Sequence, residues 1–257
     1  MPSEIVSLDE YREKLQQQET RVAWDNFPPV FILCPLGSAK NHPAYDKAKR
    51  EGDNDSALQL VNSIIPVERI DELRSVLEGA DNPLILPVHA IEEFGTNKIP
   101  AALAYYLSVK LRFDLCGDIV QANKPQRTNK GAFYRLSQYP FFDGEVRQGN
   151  QYVILDDTLA MGGTLASLRG YIENKGGHVI LAVVLTGHDG SALLNIKEPM
   201  LQHIQHKHGN ELNDWWKTEI GFGVDKLTQG EAGHLKKAPS VEEIRSRILE
   251  DRPEEQL

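Results

Sequence analysis

Two adjacent carboxylates, Asp156 and Asp157, close a short apolar run, Tyr152-Val153-Ile154-Leu155, and a paired glycine, Gly162-Gly163, follows within one short loop. Carboxylates accept hydrogen bonds from sugar hydroxyls. A backbone relieved of side chains at two consecutive positions can close on an anion, and the Thr164 hydroxyl adds a donor. A phosphate would be repelled if it lay on the carboxylates themselves. Set one turn beyond them, it suits a sugar whose hydroxyls the carboxylates hold. The spacing reads as a cradle for ribose 5-phosphate, with the backbone of Ala160, Met161, Gly162, Gly163 and Thr164 on the phosphate.

That chemistry needs particular elements. The apolar run has the character of a buried parallel strand, and Leu165, Leu168 and Ile172 give the segment after the glycines one apolar helical face as far as Gly176-Gly177. A strand, a tight turn and a helix place the helix N-terminus at the carboxyl edge of a sheet. Unpaired N–H groups and the helix dipole there favour an anion. No Lys follows the glycines, which excludes a Walker A loop, and the Gly-x-Gly-x-x-Gly dinucleotide spacing is missing.

The chain has 257 residues, 40% hydrophobic and 25% charged, which suits an α/β core with additions. A formal net charge of −9 argues against sequence-independent binding of nucleic acid. Two cysteines, Cys34 and Cys116, without metal-ligand spacing fit a reducing compartment. The apolar stretches fall short of the ~20 residues that span a membrane. With no export signal in the first residues, the expected location is the cytoplasm.

A Ser7…Glu10 capping box opens an expected helix to Arg21, and Phe31 to Cys34 is a strand candidate. The stretch Leu36 to Tyr45, with Ser38, Lys40 and His42, is a polar loop or an anion-binding one. Helices are expected over 55–65 and 67–77. From Asn82 strands and helices alternate: Leu84 to Val88 as first core strand, a loop from His89 to Lys98, a helix from Pro100, and a strand over 117–122. A basic loop follows with Lys124, Arg127 and Lys130, then a strand pair over 132–137 and 143–146, the signature strand, and a further strand from His178 to Leu185. Asp189 or Ser191 caps a helix expected from Ala192. His203, His206 and His208 read as a solvated helix face, and Ser240 begins a last capping box.

The run Tyr152 to Thr164 resembles the 5-phosphoribosyl-1-pyrophosphate (PRPP) signature of type I phosphoribosyltransferases, four apolar residues, two acidic, four variable and Gly-x-Thr, and Asp157 to Thr164 is similar to the adenine-type members. The resemblance extends over Leu84 to Leu185. It implies a parallel sheet flanked by helices, with pyrophosphate held by the loop through Gly95, Thr96 and Lys98, and with Lys124 and Arg127 on a loop that closes over the ligand. Phe94 departs from the adenine-type pattern, where an Arg precedes the glycine, and Glu92-Glu93 is unexpected beside pyrophosphate. The stretch Gly221 to Asp225 is similar, over a few residues, to hypoxanthine-guanine enzymes, which gives Asp225 a role beside a magnesium ion. The aromatic that stacks on the base in those enzymes falls on Thr218, leaving Trp215 or Trp216 as substitutes or as packing.

The expected organisation is an N-terminal helical extension or hood (1–80), a PRPP-binding α/β core (81–190) and C-terminal helices contributing to a hood (191–257). The resemblance implies a magnesium-dependent transfer of 5-phosphoribosyl to a purine-like nitrogenous acceptor with release of pyrophosphate, Asp156 and Asp157 being catalytic. The expected partners are PRPP and a small acceptor, with no nucleic acid and no membrane; a homodimer is left open. The alternative is a non-catalytic regulator that senses PRPP or a nucleotide.

Overall fold

In the computed structural model, which describes residues 20–89, 91–92, 95–122 and 132–250 (backbone only at 91, 92, 95, 96 and 137), four parallel strands form the central sheet. They are β1 (Phe31–Pro35), β2 (Leu84–Pro87), β7 (Gln151–Thr158) and β8 (His178–Gly187), in the order β1-β8-β7-β2. Two small antiparallel pairs stand outside it, β3 (Ile91–Glu92) with β4 (Gly95–Thr96) and β5 (Ile119–Gln121) with β6 (Phe142–Gly144).

The side chains of β7 alternate between two apolar layers, as a pleated strand buried on both faces requires. Val153 and Leu155 pack with α1 (Asn54–Ile64), α2 (Val67–Val76) and α3 (Ile99–Leu111). Tyr152 and Ile154 pack on the other face with α5 (Gly163–Asn174), through Leu165, Leu168 and Ile172. Asp53 caps α1 by accepting from the Ser56 N–H at 2.6 Å, and Pro100 lies in the first turn of α3 as expected. The sheet flanked by helices expected from the sequence is present.

A third apolar cluster joins α4 (Ala132–Ser137), α6 (Glu198–Ile220), α7 (Gln229–Lys237) and α8 (Val241–Glu250) around Trp216, Phe222, Leu235 and Ile244. Several expectations change here. Residues 132–137 form a helix and not a strand, because Phe133 and Leu136, three apart, both turn to this cluster. The strand over 119–121 pairs antiparallel with β6 and does not join the central sheet. The helix expected from Ala192 begins at Glu198, and the turn over Asp189–Ser191 is capped by the His188 ring, which accepts from the Gly190 N–H at 3.1 Å. β1, from the segment read as an extension, is an edge strand of the main sheet, so residues 20–80 share its core. The helix expected over 7–21 lies almost wholly outside the described residues.

Both edges of the central sheet are partly covered. Beyond β2, the Ile85 N–H donates to Asp114 O and the Cys116 N–H to Ile85 O, each at 2.8 Å. Beyond β1, Arg69 donates to the Ile32 carbonyl and lies over the Phe31 ring at 4.3 Å, while the Val30 N–H donates to Ala192 O at 2.9 Å.

The helical layer is fastened to the sheet through one buried guanidinium. Arg21 donates to Glu231 Oε2 at 2.7 Å and Oε1 at 3.1 Å, to Ser167 Oγ at 3.1 Å and to the Gly163 carbonyl at 3.0 Å. It lies beside the edge-to-face pair of Tyr139 and Phe222, at 4.8 and 4.4 Å from their centroids. Removing one member of a fully desolvated pair leaves the other as an uncompensated charge. Arg21→Met is therefore expected to destabilise the protein by about 3–5 kcal/mol in urea titrations, and adding Glu231→Leu to recover more than half of that loss. A single-variant loss within experimental error would show that the pair does not hold the layers together.

Candidate functional site

Strand β7 ends at the site. Alternation places Asp157 on the face of α1 and α3 and Asp156 on the face of α5, and at the strand end the two carboxyls remain close enough to act on each other. The Thr186 hydroxyl, on β8, donates to the Asp157 carbonyl at 3.3 Å and lies 3.1 Å from Thr158 Oγ1, which fixes the strand end.

Asp157 is engaged twice at one oxygen. Lys49, in the π-helical turn Lys47–Glu51, forms an ion pair with Oδ2, and the Asn97 amide donates to the same atom at 3.0 Å. The carbonyl end of that amide accepts from the Ile99 N–H at 3.1 Å, so the start of α3 orients Asn97. The Lys98 N–H donates to the Ala48 carbonyl at 3.1 Å, which ties the π-helical turn to the loop after β2. Neither Lys49 nor Asn97 was singled out in the sequence. Asn97 adjoins Lys98 in a stretch already marked for anions; Lys49 carries no local signal.

The two environments push the carboxyls apart. Burial, and then the charge of Asp157, raise the Asp156 carboxyl to about 8, although its Oδ1 accepts from the Asp157 N–H at 2.8 Å. Burial also acts to raise Asp157, but the charge and hydrogen bond of Lys49 and the hydrogen bond of Asn97 outweigh it and hold this carboxyl below its ordinary range. At neutral pH the strand end thus presents one protonated carboxyl and one carboxylate with a lysine on it.

The loop after β7 lies on the α5 face. Gly162 has a left-handed φ of 80°, and a Cβ there would meet Leu194 Cδ1 at 2.6 Å. A Cβ on Gly163 would lie 2.2 Å from Glu231 Oε1. The second glycine of the signature is thus required by packing as well as suited to an anion. Thr228 Oγ1 donates to the Met161 carbonyl at 2.6 Å, so the α7 N-terminus holds the loop from its carbonyl side. Among the described residues, the N–H groups of Ala160, Met161, Gly162 and Gly163 donate to no protein acceptor. With the dipole of the twelve-residue helix behind them, they can bind an anion. Thr164 stands at the first turn of that helix.

Other expected site residues fall elsewhere or beyond description. Gly95 and Thr96 form β4, beside the π-helical turn, their side chains undescribed. Lys98 precedes α3 and is half-buried. Lys124, Arg127 and Phe94 lie outside the described residues. Asp225 is exposed on the 3-10 turn Val224–Lys226 of the helical layer, and among the described residues no group of three or more His, Cys, Asp or Glu side chains gathers for a metal. Trp216 is fully buried packing, and Thr218 donates to its own helix at Asp214 O. His42 lies 3.0 Å from the Ser63 hydroxyl and accepts from the Ala44 N–H, while His208 is buried with Nε2 3.1 Å from Leu235 O, so neither belongs to the site.

No family model matches the chain. It is 48% identical over 234 residues to Protein TraN of Escherichia coli, covering 91% of this chain and 52% of that protein. A protein of Haemophilus influenzae described as uncharacterized is 40% identical over 170 residues, covering 66% of this chain and 38% of that one. The chain therefore spans about half, or less, of the curated relatives it matches. Among solved structures, an adenine phosphoribosyltransferase from Thermoanaerobacter pseudethanolicus aligns with 23% identity and a TM-score of 0.33 over 52% of this chain and 74% of that one. An orotate phosphoribosyltransferase from Aeropyrum pernix aligns with 19% identity and a TM-score of 0.30 over 54% and 63%.

The divergent carboxyls give a pH signature. In an unfolded chain Asp156 titrates at about 3.9. Between that value and the folded one near 8, the folded protein keeps a proton that the unfolded chain releases. This group's contribution to stability is full below the window and is lost as pH rises through it. Asp156→Asn removes that dependence. The melting temperature of the variant minus that of the wild type should rise from about pH 5 to about pH 8 and then level off. A difference that stays flat would show that Asp156 ionises as an ordinary carboxyl.

Proposed function

We propose that this protein binds PRPP and transfers its 5-phosphoribosyl group to a nitrogen of a small purine-like acceptor, releasing pyrophosphate. One observation carries the reading: the carboxyl end of β7 presents two carboxyl groups between backbone donors on one face and a lysine seam on the other. A ligand that fits has hydroxyls in its middle and an anion at each end. The resemblance of Tyr152 to Thr164 to the PRPP signature supports the same ligand.

In this reading the N–H groups of Ala160 to Gly163, with Thr164, bind the 5-phosphate. Asp156 and Asp157 take the ribose hydroxyls, and the charge of the pair, carried by Asp157 at neutral pH, stabilises the cationic character that C1 gains as its bond to the pyrophosphate oxygen breaks. The electron pair leaves with pyrophosphate, the acceptor nitrogen forms the new bond to C1, and its proton goes to solvent. Gly95, Thr96 and Lys98, with Lys124 and Arg127, serve the pyrophosphate. A magnesium ion would be held largely by the ligand's own oxygens and by water. When bound, magnesium neutralises the leaving pyrophosphate. Asp225 enters only if its turn meets that ion.

A second reading, ligand sensing without turnover, is favoured by the lysine already neutralising Asp157. Calorimetry with PRPP and magnesium beside pyrophosphate release with a panel of bases separates the two: binding with turnover supports the enzyme, binding alone supports the sensor. Absence of PRPP binding removes both. For the enzyme, Asp156→Asn leaves the Lys49–Asp157 pair intact and should lower kcat/KM about tenfold, the loss of one uncharged contact; Asp156→Asn/Asp157→Asn also removes the carboxylate, whose charge-assisted contact contributes about 1.5–3 kcal/mol, and should lower it at least about a hundredfold.

A further inference from the structure

Lys49 stands outside every motif in the sequence, yet it holds the carboxylate that the phosphoribosyl reading assigns to the ribose. It projects from a π-helical turn, a rare geometry that recurs at functional sites. Its side chain is only 20% exposed and that of Asp157 10%, so the pair is drawn largely out of water. A desolvated carboxylate is costly without a partner, and Lys49 supplies the cationic one.

The placement gives this pair a direction. The anion donors of the loop after β7 lie on the α5 face, whereas Lys49, Asn97 and the backbone of Lys98 lie on the opposite face, joined through the Ala48 carbonyl. A ribose with its 5-phosphate on the loop and its hydroxyls on the carboxylates would turn its C1 substituent towards the lysine seam. We propose that Lys49 is a displaceable counter-ion and a selectivity residue for the diphosphate: the ligand's hydroxyls take over Asp157, and the released ammonium moves onto the diphosphate at C1. This rests on the phosphoribosyl reading of the site. Charge is conserved in the exchange, because the ammonium leaves one anion for another while the carboxylate gains hydroxyl donors. Ribose 5-phosphate, which carries no anion at C1, gives the ammonium no new anion to move onto, so the exchange favours PRPP over it.

The test measures, by calorimetry, the affinities of wild type, Lys49→Gln, Lys49→Met and Lys49→Arg for PRPP with magnesium and for ribose 5-phosphate. The wild type is expected to prefer PRPP. The two neutral variants should lose about tenfold or more of that preference, mainly through weaker PRPP binding, while Lys49→Arg keeps it within about threefold. A preference unchanged in a folded neutral variant overturns the role of Lys49 and leaves the phosphoribosyl reading standing. A wild type that does not bind PRPP overturns that reading and this inference with it. The 15N resonance of the Lys49 ammonium in the wild type gives a measure free of folding defects. It should shift with PRPP and much less with ribose 5-phosphate, and equal responses to the two would also overturn the role.

Discussion

The guanidinium of Arg21 is the point at which three separate stretches of chain are held in register. It is 1% exposed, and its charge is met by Glu231, itself 2% exposed. Its remaining donors reach the Gly163 carbonyl and Ser167, both on the helix that follows the acidic strand. Glu231 also accepts from the Thr228 N–H at 2.9 Å, completing the capping box of α7. The turn around the glycines is therefore shaped from outside. The start of the described chain and the C-terminal helices together press it against the sheet, and a desolvated ion pair tolerates little displacement of either.

The end of β7 obeys a second constraint, the pleat. Neighbouring residues of a strand face opposite ways, so an Asp-Asp pair cannot have one environment. One carboxyl gained an amide and a lysine bonded to it; the other gained a backbone N–H and a neighbour of like charge, and feels the lysine without bonding it. Two residues identical in type thus differ in protonation at neutral pH, as happens wherever burial and partners separate a titrating pair. The difference is written by elements that lie far apart in the chain.

What the sequence disclosed follows this division between local and distant. The strand, turn and helix from Tyr152 to Asn174 were legible because apolar period, acidic pair and glycines all fall within one short window. Lys49 was not, because 108 residues separate it from Asp157 and nothing near it repeats. Asn97 was passed over beside Lys98, a neutral amide next to a more conspicuous charge. The segment 132–137 was misread for want of length: six residues with Phe133 and Leu136 apolar fit either period until a partner surface decides. Arg21 gave no sign of burial at the end of a polar stretch. The Thr228…Glu231 spacing, by contrast, is a readable helix start whose acid proved to have a second use.

The partly covered edges of the central sheet bear on how this protein can associate with others. Unpaired strand edges are ready templates for a neighbouring chain. On the β1 side the Ile32 carbonyl is already taken by an arginine and the Val30 amide by the chain itself; on the β2 side the segment around Leu115 occupies Ile85. Strand-by-strand growth of this sheet is thereby blocked at these positions, on both flanks, by ordinary hydrogen bonds. At these positions another chain must be met through side chains. Such surfaces can be made selective residue by residue, whereas a bare backbone accepts almost any partner.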